Sequence, residues 1–226
     1  MMEFENTSRL GYGIYTIPDI SRILSLKYFK VQRLLNEYWD NRIASILGQK
    51  YSWSDGKSKA VSFHTLVEFY TFFHLRESGI TTNRILDAHQ ELSKMYETVF
   101  PFANERILKG IGTIGKKLVF QIDDQKIINL DFTKQLNLLF VREFIKKLDF
   151  DEEDLANRLW PLGKEKLIVV DPNHQFGQPT IIGTNILPST IFNLIKAKEP
   201  KRFISATYEI SEKHISDALE FCKKVA

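Results

Sequence analysis

Tyr15-Thr16-Ile17-Pro18-Asp19-Ile20-Ser21-Arg22-Ile23-Leu24-Ser25-Leu26-Lys27-Tyr28-Phe29-Lys30-Val31-Gln32-Arg33-Leu34-Leu35 is the stretch on which the reading of the N-terminal fold turns. Thr16 with Asp19 three positions on forms a capping box, and Pro18 suits a first helical turn. Such a cap is worth about 1 kcal/mol. Ile20, Ile23 and Leu24 then recur at helical spacing. A break at Ser25-Leu26 follows, and a second helix begins near Lys27. Its expected apolar positions are Phe29, Val31, Leu34, Leu35 and Tyr38, with Lys27, Lys30 and Arg33 on other faces. Two short helices, a tight turn and a basic second helix make the pattern of a helix-turn-helix.

Downstream, Asp55-Gly56 signals a hairpin turn, with Tyr51 and Trp53 before it and Lys57 and Lys59 after it. A small wing beside the helix pair is predicted. Ser62 caps a helix whose apolar stripe is Phe63, Leu66, Val67, Tyr70 and Phe73, closed by Gly79. Thr81 or Thr82 starts another, with Ile85, Leu86, His89, Leu92 and Met95 on one face, ending before Pro101.

The middle reads differently. Gly110, Gly112 and Gly115 are placed in a loop, and Leu118–Ile122 and Ile127–Leu130 form a hairpin around Asp123–Lys126. Phe140–Leu148 is apolar at helical spacing. The acidic run Asp149–Asp154 reads as a helix start favoured by the macrodipole. Pro161-Leu162-Gly163 marks a boundary. A strand at Lys166–Val170, a turn, and helices opening at Pro188, Pro200 and after Ser211 complete the chain. The predicted fold is mainly α with small β elements. A winged helix-turn-helix DNA-binding domain occupies 1–100, a hairpin and helix segment 101–163, and a three-helix bundle with a short strand 164–226.

Cys222 is the single cysteine, so neither an intrachain disulfide nor a multi-thiolate metal site can form. No apolar run is long enough to span a bilayer, and Met1-Met2-Glu3-Phe4-Glu5 does not read as a signal peptide. A cytoplasmic protein without membrane attachment is expected.

The net charge of +3 is too small to announce a nucleic-acid binder, but its distribution is uneven. Between Ile20 and Ala60, eight basic residues (Arg22, Lys27, Lys30, Arg33, Arg42, Lys50, Lys57, Lys59) face three acidic ones (Glu37, Asp40, Asp55), a surplus of five. The rest of the chain is therefore net negative. Lys27, Tyr28, Lys30 and Arg33 would line the exposed side of the second helix, where they can meet phosphates and base edges. Lys57 and Lys59 would reach the flanking backbone from the wing. The structural alternative is an ordinary solvated helix.

This arrangement resembles the winged-helix domain of MerR-type regulators over about the first 95 residues. The residues that carry the resemblance are Tyr15-Thr16-Ile17, the helix pair to Tyr38, the turn at Asp55-Gly56, and Ser62–Gly79 followed by Ile80-Thr81. Gln32-Arg33-Leu34-Leu35 stands where that family has Arg-Tyr-Tyr, and the first wing is longer. The resemblance implies DNA contacts by Lys27, Tyr28 and Arg33.

A second motif is sharper. Gly177-Gln178-Pro179-Thr180-Ile181-Ile182-Gly183-Thr184-Asn185-Ile186 resembles the G-x-P-x-I-x-G-T-R-I signature of a small bacterial domain of unknown function, over residues 166–226. Asn185 replaces the signature arginine, so no role of that arginine carries over. Pro179 and Gly183 read as backbone devices that seat the helices. Domains of this kind are found in VapB-type antitoxins paired with PIN-domain ribonuclease toxins. Together the two resemblances imply an antitoxin that silences such a toxin and represses its own operon as a homodimer on operator DNA. The alternative is a MerR-like regulator whose C-terminal half senses a small ligand. A third reading is a scaffold whose helix-turn-helix is only structural.

No catalytic constellation is visible, and neither enzyme activity, a cofactor nor a metal is expected. His64, His74, His89, His174 and His214 are scattered, and only His174, near Asp171 and the glycine turn, stands out. Gly110-Ile111-Gly112-Thr113-Ile114-Gly115 has the wrong spacing for a phosphate loop and precedes a hairpin.

Overall fold

The computed structural model describes residues 11–48, 50–55, 58–114, 117–121, 127–129 and 143–224. The protein is mainly α with small β elements.

Helix α1 (Ile17–Ile23) begins at the capping box: Thr16 N–H donates to Asp19 Oδ2 (3.1 Å) and Asp19 N–H donates back to Thr16 Oγ1 (3.4 Å). Ile17, Ile20 and Ile23 face the core. Ser25 turns the chain in the left-handed region (φ 54°), and α2 (Tyr28–Arg33) follows. The chain then winds more widely over Leu34–Ile43, where the Ala44 N–H reaches back five residues to the Trp39 carbonyl, before the single turn α3 (Ala44–Leu47). Gly48 (φ 78°) ends it.

The wider winding decides which side chains are buried. Leu35, Trp39 and Ile43 recur every four residues and are fully covered, and the Trp39 ring stands edge-on to Phe69, Phe72 and His89. One expectation is corrected. Phe29 is 59% exposed, because it lies two residues, about 200° of helix, from the buried Val31. Tyr38 packs half-buried against the core, beside the fully buried Trp39.

Strands β1 (Tyr15–Thr16), β2 (Ser52–Asp55) and β3 (Ser58–Val61) form an antiparallel sheet in the order β1-β3-β2. The last pair, Asp55 opposite Ser58, leaves Gly56 and Lys57 between the strands, and those two lie outside the described residues. Helix α4 (Phe63–Glu77) is capped by Ser62, whose Oγ accepts from Thr65 N–H, and Gly79 (φ 95°) follows its end. It is buried on almost every side, as the central helix of the larger core must be. Helix α5 (Thr82–Met95) packs on it.

A short 3₁₀ turn (Pro101–Ala103) and α6 (Glu105–Gly110) lead into an antiparallel sheet of β4 (Ile111–Ile114), β5 (Lys117–Gln121) and β6 (Ile127–Asn129). The expected hairpin is thus present, but Gly112 is a strand residue, not part of a loop; Gly115 lies outside the described residues. Of the expected helix Phe140–Leu148, residues 140–142 also lie outside them, 143–145 are helical, and 146–147 form a turn. Leu148 itself opens a strand, β7 (Leu148–Phe150), paired with β8 (Ala156–Leu159). The acidic run is therefore the end of β7 and the hairpin loop after it, not a helix start. Asp151 explains why: its Oδ1 accepts from the N–H groups of Glu153 and Leu155, satisfying the backbone in a turn before a helix can form.

The final segment builds β9 (Ile168–Val169) against β10 (Thr180–Ile181), then α7 (Pro188–Lys196), α8 (Lys201–Tyr208) and α9 (Glu212–Lys224). Ile168, Ile181, Ile191, Ile204, Ile215 and Phe221 form a second apolar cluster, separate from the first. Leu159 and Val170, exchanging backbone hydrogen bonds of 3.0 and 2.8 Å, tie this segment to β8. No described helix is long and apolar enough to cross a membrane.

Candidate functional site

Four consecutive side chains at the start of α2, Lys27, Tyr28, Phe29 and Lys30, are exposed, with Gln32, Arg33 and Asn36 further along. Val31, Leu34 and Leu35 hold this helix down, so its outer side is free of packing duty. Tyr28 is 50% exposed, and with Phe29 it gives the basic surface an aromatic component. Lys27 and Lys30 make no ion pair with a described residue. Basic groups suit phosphates; an aromatic edge suits a thymine methyl or a sugar.

The other sequence-predicted contacts are placed differently. Arg33 Nε donates to Glu37 Oε2 (2.8 Å), and its guanidinium lies 5.7 Å from the Tyr38 ring centre. The bond to Glu37, with Tyr38 and Glu37 adding to it, raises the Arg33 pKa further. Lys59 donates to Asn36 Oδ1 (2.7 Å) and Asp40 Oδ2 (2.8 Å). Lys57 lies outside the described residues.

Asp40 was not singled out by sequence, yet it organises the β2–β3 hairpin. Its side chain is 5% exposed. Oδ1 accepts from the N–H groups of Tyr51 and Ser52 (both 3.1 Å), and Oδ2 accepts from Ser52 Oγ (2.5 Å) as well as Lys59. One carboxylate therefore fixes the hairpin to the helix that follows α2. Lys59 is a strut in that joint, and Arg42, paired with Asp87 (2.6 Å) and Asn83 (3.0 Å), is a strut to α5.

The glycine turn forms a second assembly. Gln175, Phe176 and Gly177 have consecutive positive φ angles of 48°, 54° and 84°. The Phe176 carbonyl accepts from Ile14 N–H (3.1 Å), so the turn is joined to the strand entering α1. Pro179 is buried just before β10. Gly183 has φ 73° with open space around a would-be side chain, so its glycine serves the backbone angle alone. Thr184 Oγ1 donates to the Ile181 carbonyl (2.9 Å) and accepts from Ile186 N–H (3.0 Å). His174 Nε2 donates to the Thr184 carbonyl (2.9 Å), which makes this loop histidine part of the turn. Arg158 Nε donates to Asp171 Oδ2 (2.8 Å). Beside these groups lies a cleft of about 450 Å³ that Asn185 also lines, its side chain exposed.

Sequence reading missed one further group. His89 Nε2 and Glu68 Oε2 stand 2.7 Å apart with both side chains fully buried. Among the described residues no three His, Cys, Asp or Glu side chains are gathered to hold a metal.

Residues 168–222 match a protein family described as a protein of unknown function, DUF433. The uncharacterized protein Rv2308 of Mycobacterium tuberculosis is 37% identical over 57 residues, which are 25% of this chain and 24% of that protein. The matched region thus spans about a quarter of this curated relative. The crystal structure of Rv2018 from Mycobacterium tuberculosis superposes with a TM-score of 0.68 over 94% of this chain and 99% of that one, at 15% identity. That likeness is one of fold. The glycine turn and the three C-terminal helices therefore carry the family match, to a domain whose function is unknown, while the N-terminal part is matched in fold alone.

Proposed function

We propose that this protein is an antitoxin that binds operator DNA as an autorepressor and neutralises a PIN-domain ribonuclease. The observation that carries the DNA half is the exposed Lys27-Tyr28-Phe29-Lys30 run on α2, beside a hairpin that Asp40 fixes in place. In a MerR-like helix-turn-helix this helix enters the major groove, and the wing flanks it. A homodimer would read two half-sites. The toxin half rests on the resemblance of the Gly177–Ile186 turn to the domain found in such antitoxins. That turn and the α7–α9 bundle would then form the toxin-binding part.

The test is a pull-down of the tagged protein from its native host with mass spectrometry, followed by DNA binding across a salt series. Stoichiometric recovery of a PIN-domain protein supports the antitoxin reading. Recovery of no such protein, with salt-sensitive DNA binding intact, moves the reading to a ligand-responsive regulator. The cleft of about 450 Å³ at Arg158, His174 and Asn185 favours that second reading.

A further inference from the structure

We propose that the cavity behind the α1–α2 turn is a binding site for a small organic anion, with a carboxylate or phosphate head on a short apolar body. The cavity holds about 310 Å³, at the lower end of small-molecule sites. One side is apolar: Leu24 and Leu26 from the turn, Phe73 from α4, Leu159 and Pro161. The polar side combines Lys147, Lys224, His74 and Glu77.

The charges do not balance. Lys147 is half-buried and Lys224 lies exposed near the end of α9. Neither makes an ion pair with a described residue. Glu77, which stands 3.2 Å from His74 Nδ1, is the only carboxylate among the described residues of the lining, and it is largely exposed. Two lysines against one glutamate leave a surplus of one positive charge at neutral pH. Burial, then the Lys224 charge, lowers the Lys147 pKa against the opposing pull of Glu165, Glu143 and Glu77, so an anion between the two ammonium groups would relieve the two penalties. The apolar wall would cover the body of the ligand. Because the turn between the two N-terminal helices is part of that wall, an occupant would join it to the end of α9. The site stands on this cavity and does not depend on the DNA or toxin readings.

The experiment is isothermal titration of the full chain with phenyl phosphate and with benzoate, using benzyl alcohol as the neutral counterpart. One anion per chain is expected, bound about tenfold more tightly than benzyl alcohol. Lys147→Met and Lys224→Met keep the apolar stems and should each weaken the anion roughly fivefold, the effect of a partly screened charge pair. Lys223→Met, on the neighbouring exposed lysine, should change nothing. Should Lys147→Met fail to fold, Lys224→Met at the rim carries the comparison. No saturable binding of either anion to the wild-type protein, or binding unchanged in Lys224→Met, overturns the proposal.

Discussion

The ring of Tyr15 occupies the space where Gly177 has no side chain: a Cβ on Gly177 would fall 2.6 Å from Tyr15 Cζ. The first strand and the glycine turn are thereby locked together. Gly177→Ala meets two costs, a left-handed backbone (φ 84°) and a collision with a fully buried ring. Together they come to roughly 2–4 kcal/mol. The Tyr15 hydroxyl has no hydrogen-bond partner among the described residues, and burial raises its pKa. Tyr15→Phe alone should therefore change stability little, while in the Gly177→Ala background it should restore part of the loss. Urea midpoints of the two single variants and the double variant read this coupling. Strictly additive effects would show that the ring and the glycine do not oppose each other.

Lys27 and Lys30 face solvent, whereas Lys59 is held by Asp40 and Asn36. Lys27→Ala and Lys30→Ala should each reduce the slope of log affinity against log salt by about 1 on the chain's own upstream duplex. Lys59→Ala should leave that slope nearly unchanged. It should instead lower stability by about 1 kcal/mol, because the nearly buried Asp40 loses its cation. The reverse pattern, with Lys59 controlling the salt slope, would move the proposed interface from α2 to the β2–β3 hairpin.

Glu68 and His89 join α4 to α5 inside the core. Glu68 Oε1 also accepts from Phe102 N–H (2.7 Å), and the His89 ring stands edge-on to Trp39, Tyr51 and Phe102. Burial raises the Glu68 pKa, against the opposing pull of His89. Removing one partner strands the other without solvent, so Glu68→Leu should cost roughly 3–5 kcal/mol. Glu68→Leu with His89→Leu should cost less than the two single changes summed. Denaturation of all three variants measures the coupling, and additivity would mean the pair does not act as a unit.

What could be read from sequence was local. The Thr16–Asp19 box, the Ser62 cap, Gly79 and Pro188 each act within a few residues, so composition and spacing reveal them. The wide winding over Leu34–Ile43 was hidden because a period of four residues falls close to the ordinary helical one. Asp149–Asp154 misled because a negative run suits a helix start by charge, while Asp151 satisfies the backbone in a turn instead. The candidate interface was legible at Lys27, Tyr28 and Lys30, whose neighbours in the helix force them outward. It was not legible at Lys59, because the carboxylate that holds it comes from another element. The Glu68–His89 and Tyr15–Gly177 contacts were invisible for the same reason: each exists only after tertiary folding.

His74 supplies a measurable pH dependence. Its ring lies parallel to Phe144 (2° between planes, centres 5.4 Å apart), and burial, then the Lys147 and Lys224 charges, lower its pKa from 6.5 to about 4. Glu77, though close, is 62% exposed, and solvent screens its charge too well to offset the burial. In the unfolded chain this histidine takes its proton near pH 6.5, while in the folded protein it resists until about pH 4. The unfolded state therefore gains a proton first as the solution is acidified. Stability should fall between those two values, by up to roughly 3 kcal/mol from this group. His74→Phe keeps an aromatic ring against Phe144 and removes the titration. Carboxylates and the buried His64, whose pKa burial also lowers, contribute their own acid dependence, so the difference between wild type and variant is the informative quantity. Unfolding free energies at pH 7, 6 and 5 should diverge, with the variant losing less on acidification. Parallel curves would mean that His74 takes up its proton as readily in the folded protein as in the unfolded chain.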